Sequence, residues 1–159
     1  MAKMSKLKIV IQEELFISSV TTSLVLPLFL DCGGVYFPCN HWTDFVDILN
    51  MWSYTLIRHV DEKEAEFILY FMDGPYRLDV IKDREMKLTI QCVNFRGTEL
   101  VELTVQCEYI ELLEAVYKAV NKFSKILYER NMHKNRFEAT YNQSLLTSKE
   151  LKAVINQIR

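Results

Sequence analysis

Between Phe67 and Glu108, apolar and polar residues alternate in four successive runs separated by turn-forming residues. A period of two is the signature of strands with one buried face, so this stretch constrains the fold more than any other. A two-residue turn at Arg96-Gly97 pairs Met86 with Cys107, Leu88 with Val105, Ile90 with Leu103 and Cys92 with Val101. All of these are apolar. The other face then pairs Lys87 with Gln106, Thr89 with Thr104 and Gln91 with Glu102. A turn at Asp73-Gly74-Pro75-Tyr76 matches Phe71 with Leu78 and Leu69 with Val80. A three-residue turn at Asp83-Arg84-Glu85, which lacks the glycine such turns favour, joins the two hairpins. The expected rows are Leu69, Val80, Leu88, Val105 and Phe71, Leu78, Ile90, Leu103. A slip of one residue would bury the polar set, so a four-stranded antiparallel meander with one dry face is expected.

The flanking segments supply what covers that face. Leu7, Ile9 and Ile11 alternate with Lys8, Val10 and Gln12 as a strand, and Leu24 to Leu30 reads as a second, more buried strand. Pro27 cannot donate to a ladder and places that strand at an edge or a bulge. Gly33-Gly34 turns the chain. From His41 to Val60, Trp42, Phe45, Leu49, Trp52 and Leu56 fall on one helical stripe, with Asn40 as cap, Asp44 and Asp47 near the positive end of the dipole, and Arg58 and His59 near the negative end. A second helix from Tyr109 buries Ile110, Leu113, Val116, Val120, Phe123 and Leu127 and ends within residues 130–135. Thr147 with Glu150 fits a capping box, and Leu146 with Leu151 a hydrophobic staple, for a last helix facing inward through Leu151, Val154, Ile155 and Ile158. The expected class is α+β: an antiparallel meander sheet with helices packed on one face, in a single domain over 1–159.

At 159 residues, folding should remove roughly 70% of the unfolded surface from water. The uncharged stretch Leu15 to Leu30 is shorter than the roughly 20 apolar residues of a membrane span and contains Ser18, Ser19, Thr21, Thr22, Ser23 and Pro27. Glu13 and Glu14 interrupt the apolar run that a leader would need after Lys3, Lys6 and Lys8. A cytoplasmic protein without a membrane anchor is expected. Cys32, Cys39, Cys92 and Cys107 lack paired C-x-x-C spacing, so reduced, mostly buried thiols are expected rather than a zinc site. Residues 1–108 hold 10 Lys and Arg against 16 Asp and Glu (net −6), and residues 109–159 hold 9 against 5 (net +4), which together give the chain's −2.

No residue set compels a catalytic reading. Cys39 and His41 lie two apart without an assignable orienting residue, and Asp44 with Asp47 or Asp73 with Asp79 is explained by helix-start and turn chemistry. No G-x-G-x-x-G, P-loop, H-E-x-x-H or G-x-S-x-G occurs. Catalytic residues, metal ligands and cofactors are each expected to be none. Arg130, His133, Lys134 and Arg136, with Asn131, Asn135, Phe137 and Tyr141, have the mixture of a nucleic-acid patch; an acidic chain and so few basic groups favour a solvated connection. Asp61, Glu62, Glu64 and Glu66 read either as a solvated loop or as a patch that captures a basic protein. On the outer face of the meander, Ile68, Tyr70, Met72 and Ile81 stand among Lys82, Asp79 and Arg77. An interface core with a charged rim looks like this, unless strands or a helix cover it. The candidate partner-binding residues are Asp61, Glu62, Glu64, Glu66, Tyr70 and Met72. A nucleic-acid-binding or small-ligand-binding domain is the alternative.

Tyr36-Phe37-Pro38, Trp42-Thr43-Asp44-Phe45, Trp52 and Phe71-Met72-Asp73-Gly74-Pro75-Tyr76 resemble a pattern in small immunity proteins of bacterial polymorphic toxin and contact-dependent inhibition systems. The match lies within residues 36–76 and consists mainly of aromatic side chains and a hairpin turn, so it speaks for a related fold more than for a shared activity. The resemblance implies a monomeric or homodimeric cytoplasmic protein that binds a cognate toxin domain and blocks its active site. No toxin-contacting residue is carried over.

Overall fold

The computed structural model describes residues 3–4, 7–17, 23–134 and 136–159. Lys6, Ser18, Ser19, Thr21, Thr22 and Asn135, named above, lie outside them. Four strands form the meander: β7 (Ala65–Tyr70), β8 (Tyr76–Lys82), β9 (Lys87–Asn94) and β10 (Leu100–Glu108). A two-residue strand, β1 (Lys3–Met4), adds in parallel along β10, giving the order β1-β10-β9-β8-β7. The fold is α+β with antiparallel sheet, as expected.

Every junction of the meander is displaced by two residues from the expected register. Val80 pairs with Phe67 and Ile90, not Leu69 and Leu88, and Ile90 pairs with Val105 rather than Leu103. The cause lies in the turns. Phe71 N–H closes on the Tyr76 carbonyl (3.1 Å), which leaves four residues in the first turn. In the second, Asp83 Oδ1 accepts from Glu85 N and Lys87 N (2.9 and 3.0 Å), and Met86 takes the left-handed conformation (φ 63°) that a glycine would usually supply. The third is a longer loop with Gly97 at φ 79°, and a bulge interrupts the ladder between Val101 and Leu103. A displacement of two residues preserves side-chain parity. As far as the bulge the inner face therefore keeps its apolar membership: Phe67, Val80, Ile90 and Val105 in one row, Leu69, Leu78, Cys92 and Leu103 in the next. Cys92 and Cys107 end up four residues apart along neighbouring strands, about 13 Å, instead of six, and all four cysteines are free.

A second sheet is built around β4 (Leu24–Cys32), which pairs with β2 (Leu7–Ile11) and β5 (Tyr36–Phe37) in its C-terminal half and with β3 (Phe16–Ile17) and β6 (Thr43–Phe45) in its N-terminal half. β4 is thus a central strand, not the edge that Pro27 suggested. Pro27 is tolerated because the β2 ladder ends beside it, where Gln12 N–H donates to its carbonyl (3.2 Å).

Residues 43–45 belong to this sheet, so the first helix, α1 (Asp47–His59), starts six residues later than expected. Val46 occupies its N-cap without a side-chain bond, and Asn40 caps nothing. Leu49, Trp52 and Leu56 face inward as anticipated. α2 (Tyr109–Glu129) buries Leu113, Val116, Val120, Phe123 and Leu127, and its start carries a capping box between Glu108 and Glu111. α3 (Glu138–Ile158) begins nine residues before the expected cap. Thr147 is interior to it and donates to Asn50 Oδ1 (2.9 Å), Leu146 is exposed, and Leu151 and Ile155 are buried. α1 packs on β7, α2 on β10 and β2, and α3 on α1 and α2.

The residues that carry the family resemblance converge where the two sheets meet. Phe37 packs edge-on against Phe71 and Tyr76, Trp42 against Tyr76 and Trp52 against Phe71, with ring centroids 5.1–5.8 Å apart. Asp44 lies in this cluster fully buried, far from the helix-dipole role its position suggested. Its Oδ1 accepts from Phe45 N (2.8 Å) and Met72 N (3.1 Å), and its Oδ2 from Trp42 Nε1 (3.0 Å) and Asp73 N (3.3 Å). Burial holds the carboxyl above the ordinary aspartate range, and the four donors oppose that rise. One side chain thereby ties β6 to the β7–β8 turn. Gly74 completes the seam, because a Cβ there would lie 2.7 Å from the Trp42 ring.

Asp44→Ala would leave four donors facing an apolar gap, so it should lower unfolding free energy by about 3 kcal/mol in chemical denaturation. A change below about 1 kcal/mol would contradict this role.

Candidate protein-binding face

The register fixes which side chains share the outer face of the meander. Reading across β7, β8, β9 and β10, one row is Tyr70, Arg77, Val93 and Val101, the next Ile68, Asp79, Gln91 and Thr104, and the third Glu66, Ile81, Thr89 and Gln106. Ile68, Tyr70 and Ile81 are 43–48% exposed, and Met72, in the adjoining turn, is 48% exposed. Helices and second sheet pack on the other side, so these apolar groups meet solvent. Val101 joins them. The sequence pairing had turned it inward against Cys92, but the bulge reverses its parity and leaves it exposed opposite Val93.

Charge surrounds this apolar surface unevenly. Arg77 holds its guanidinium on Asp79 (Nε to Oδ1, 2.8 Å) and Glu99 (2.9 Å) and over the Phe95 ring, so the one cation in these three rows is neutralised. Lys82, expected on this face, turns inward and is buried; its ammonium donates to the Glu62 carbonyl and lies over the Tyr109 ring, whose hydroxyl in turn donates to the Leu56 carbonyl. A buried amine without an acceptor would cost several kcal/mol. The bond to Glu62 meets that requirement and pins the acidic loop to the sheet.

Asp61, Glu62, Glu64 and Glu66 are all exposed. Glu62 bonds His59 Nδ1 (2.6 Å) and Glu64 pairs with Arg84 (3.2 Å), while neither Asp61 nor Glu66 has an ion-pair partner among the described residues. Glu64, Glu66, Ile81 and Asp83 line a shallow depression of about 340 Å³. Tyr70 and Met72 stand at the opposite end of β7, about 13 Å from Glu66. The six candidate residues therefore form not one cluster but two ends of a single strand. The strand between them, with Ile68, makes the surface continuous.

Several of the other candidates are engaged in internal contacts, while Cys39 is an exposed free thiol. His41 Nδ1 bonds Gln12 Oε1 (2.8 Å), away from a role with Cys39. Burial pushes the Cys32 thiol up to about 11 and Cys107 up to about 12, and raises Cys92 further. Among the described residues no group of His, Cys, Asp and Glu is arranged to hold a metal. In the basic run, Arg130 donates to the Glu13 carbonyl, His133 stacks on Tyr128 (4.4 Å, 23°), and Arg136 lies over Phe137. Its aromatic groups are thus engaged with the chain's own residues. Among the described residues no helix is long and apolar enough to cross a membrane. Sequence reasoning missed Asp44 and Lys82, because burial of a charged residue has no local signature.

No family model, curated protein or solved structure matches this chain.

Lys82→Met should keep the fold and release the Glu62 carbonyl. Amide exchange in residues 61–64 should then rise about tenfold or more, with the meander amides unchanged. Equal protection in both proteins would rule out the tether.

Proposed function

We propose that this chain is a non-catalytic protein-binding module that captures a basic partner on the outer face of its meander. The observation that carries the reading is the set of exposed apolar side chains, Ile68, Tyr70 and Ile81 on a regular sheet face and Met72 in the adjoining turn, with carboxylates at its rim. Monomeric proteins seldom leave such a surface open unless it meets another molecule. Tyr70 and Met72 suit the desolvated centre of an interface, where aromatic residues carry most of the binding energy, and Asp61, Glu62, Glu64 and Glu66 suit its steering rim.

The likeness of residues 36–76 to small immunity proteins of bacterial toxin systems gives the partner its expected class. The chain would act in the bacterial cytoplasm, bind a cognate toxin domain and block its active site. The convergence of Phe37, Trp42, Asp44, Phe71 and Tyr76 into one seam supports this, because those residues build the scaffold that presents β7. Partner choice would then reside in the side chains of the outer face, where substitution leaves the seam intact.

The partner to test is the C-terminal domain of a large secreted protein encoded immediately upstream. Reversing Asp61, Glu62, Glu64 and Glu66 to Lys together should slow association about tenfold or more at low ionic strength, and the difference should shrink as salt screens it. Unchanged association kinetics would discard the acidic rim, and failure of the two proteins to co-purify would discard the immunity role.

A further inference from the structure

We infer that the free edge of β7 takes a β-strand from the partner, and that this strand alternates apolar with basic side chains. The inference rests on the binding role argued above and specifies how the partner is held. β7 ends the sheet, whereas at the opposite end β1 covers β10. Phe71 N–H points to β8, where it meets the Tyr76 carbonyl. In an antiparallel ladder the main-chain groups of alternate residues point to opposite sides, so those of Tyr70, Ile68 and Glu66 point away from β8. The Tyr70 carbonyl agrees with this assignment, since it accepts from Trp52 Nε1 (2.9 Å) rather than from the sheet. Beyond it, the N–H of Tyr70 and both main-chain groups of Ile68 and Glu66 have no hydrogen-bond partner among the described residues.

Edge strands are normally defended by lysine, proline or a bulge. β7, Ala-Glu-Phe-Ile-Leu-Tyr, has none of these, and its register against β8 is unbroken from Ala65 opposite Lys82 to Tyr70 opposite Arg77. A strand laid along it would gain main-chain bonds at Glu66, Ile68 and Tyr70, the mode of recognition in which backbone gives affinity and alternate side chains give specificity. Its outward side chains would stand beside Glu66, Ile68 and Tyr70. A cation suits the first and apolar groups suit the other two. Further along, the same strand would pass Glu64 and Asp61, which again ask for cations. A second copy of this chain fits less well: β7 paired with itself about Ile68 sets Glu66 beside Tyr70, and although Lys63 would meet Asp73 of the other copy, Asp61, Glu62 and Glu64 would face Pro75, Gly74 and Met72 and gain no cation.

The probe is a capped synthetic peptide of about eight residues, the length of one strand, with lysine and valine alternating. Binding should slow amide exchange at Glu66, Ile68 and Tyr70 about tenfold or more and leave Phe67 and Leu69, already bonded to β8, little changed. Ile68→Pro removes a donor that faces away from β8, a position where a strand tolerates proline, and should weaken binding about tenfold or more. Ile68→Ala, which keeps the N–H, should weaken it less. Equal affinity for Ile68→Pro, or binding without protection at Ile68, overturns strand pairing and leaves the outer-face reading standing. Affinity unchanged by Glu64→Lys with Glu66→Lys overturns the outer-face reading itself. Absence of binding, or a concentration-dependent dimer in sedimentation that protects the Ile68 amide without peptide, overturns the proposed occupant.

Discussion

Everything in this fold follows from the meander having one face that must be buried. Leu69, Leu78, Val80 and Ile90 are each no more than 1% exposed. Turning these four outward would cost on the order of 8 kcal/mol at about 2 kcal/mol each, comparable with the whole stability of an ordinary domain, about 5–15 kcal/mol. Parity is therefore fixed even where register is not. α1 and α2 cover the buried side, α3 covers the two helices, and the other side of the sheet is left with Ile68, Tyr70 and Ile81 in solvent. Structure and proposed function are the two faces of the same alternation.

The second sheet is held to the first by the seam around Asp44. A fully buried carboxylate is costly unless its lone pairs are met, and here four donors from two segments, Trp42 and Phe45 at β6 and the Met72-Asp73 turn, meet them. The same contacts fix the first turn of the meander relative to α1, whose Trp52 indole reaches the Tyr70 carbonyl. At the other end of β7, buried Lys82 fixes the acidic loop through Glu62. The proposed binding strand is thus anchored at both ends by buried polar groups, while its middle remains open.

The alternation of Phe67 to Glu108 made the meander and its dry face legible, because a period of two has no helical counterpart. Turn length was not legible: Asp83 and Met86 build a turn without glycine, and the bulge near Glu102 has no composition of its own. Trp42 and Phe45 lie seven and four residues ahead of Leu49, spacings that suit a helix stripe equally well, so β6 was hidden in the helix signal. The first half of α3 was hidden for the opposite reason. Its buried positions there are Ser144 and Thr147, which dock through Ser124 Oγ (2.7 Å) and Asn50 rather than through apolar contact. The outer-face residues were readable as candidates from parity alone, whereas Asp44 and Lys82, which support them, were not.

Hydroxyl-radical footprinting of the free protein, read residue by residue, tests the open face most directly. Tyr70 and Met72 should be modified at rates typical of exposed tyrosine and methionine, while Phe71, Leu78 and Tyr109 remain protected. Protection of Tyr70 and Met72 in the free, monomeric protein would mean that something in the chain covers this face, and the account of it as a binding surface would be wrong.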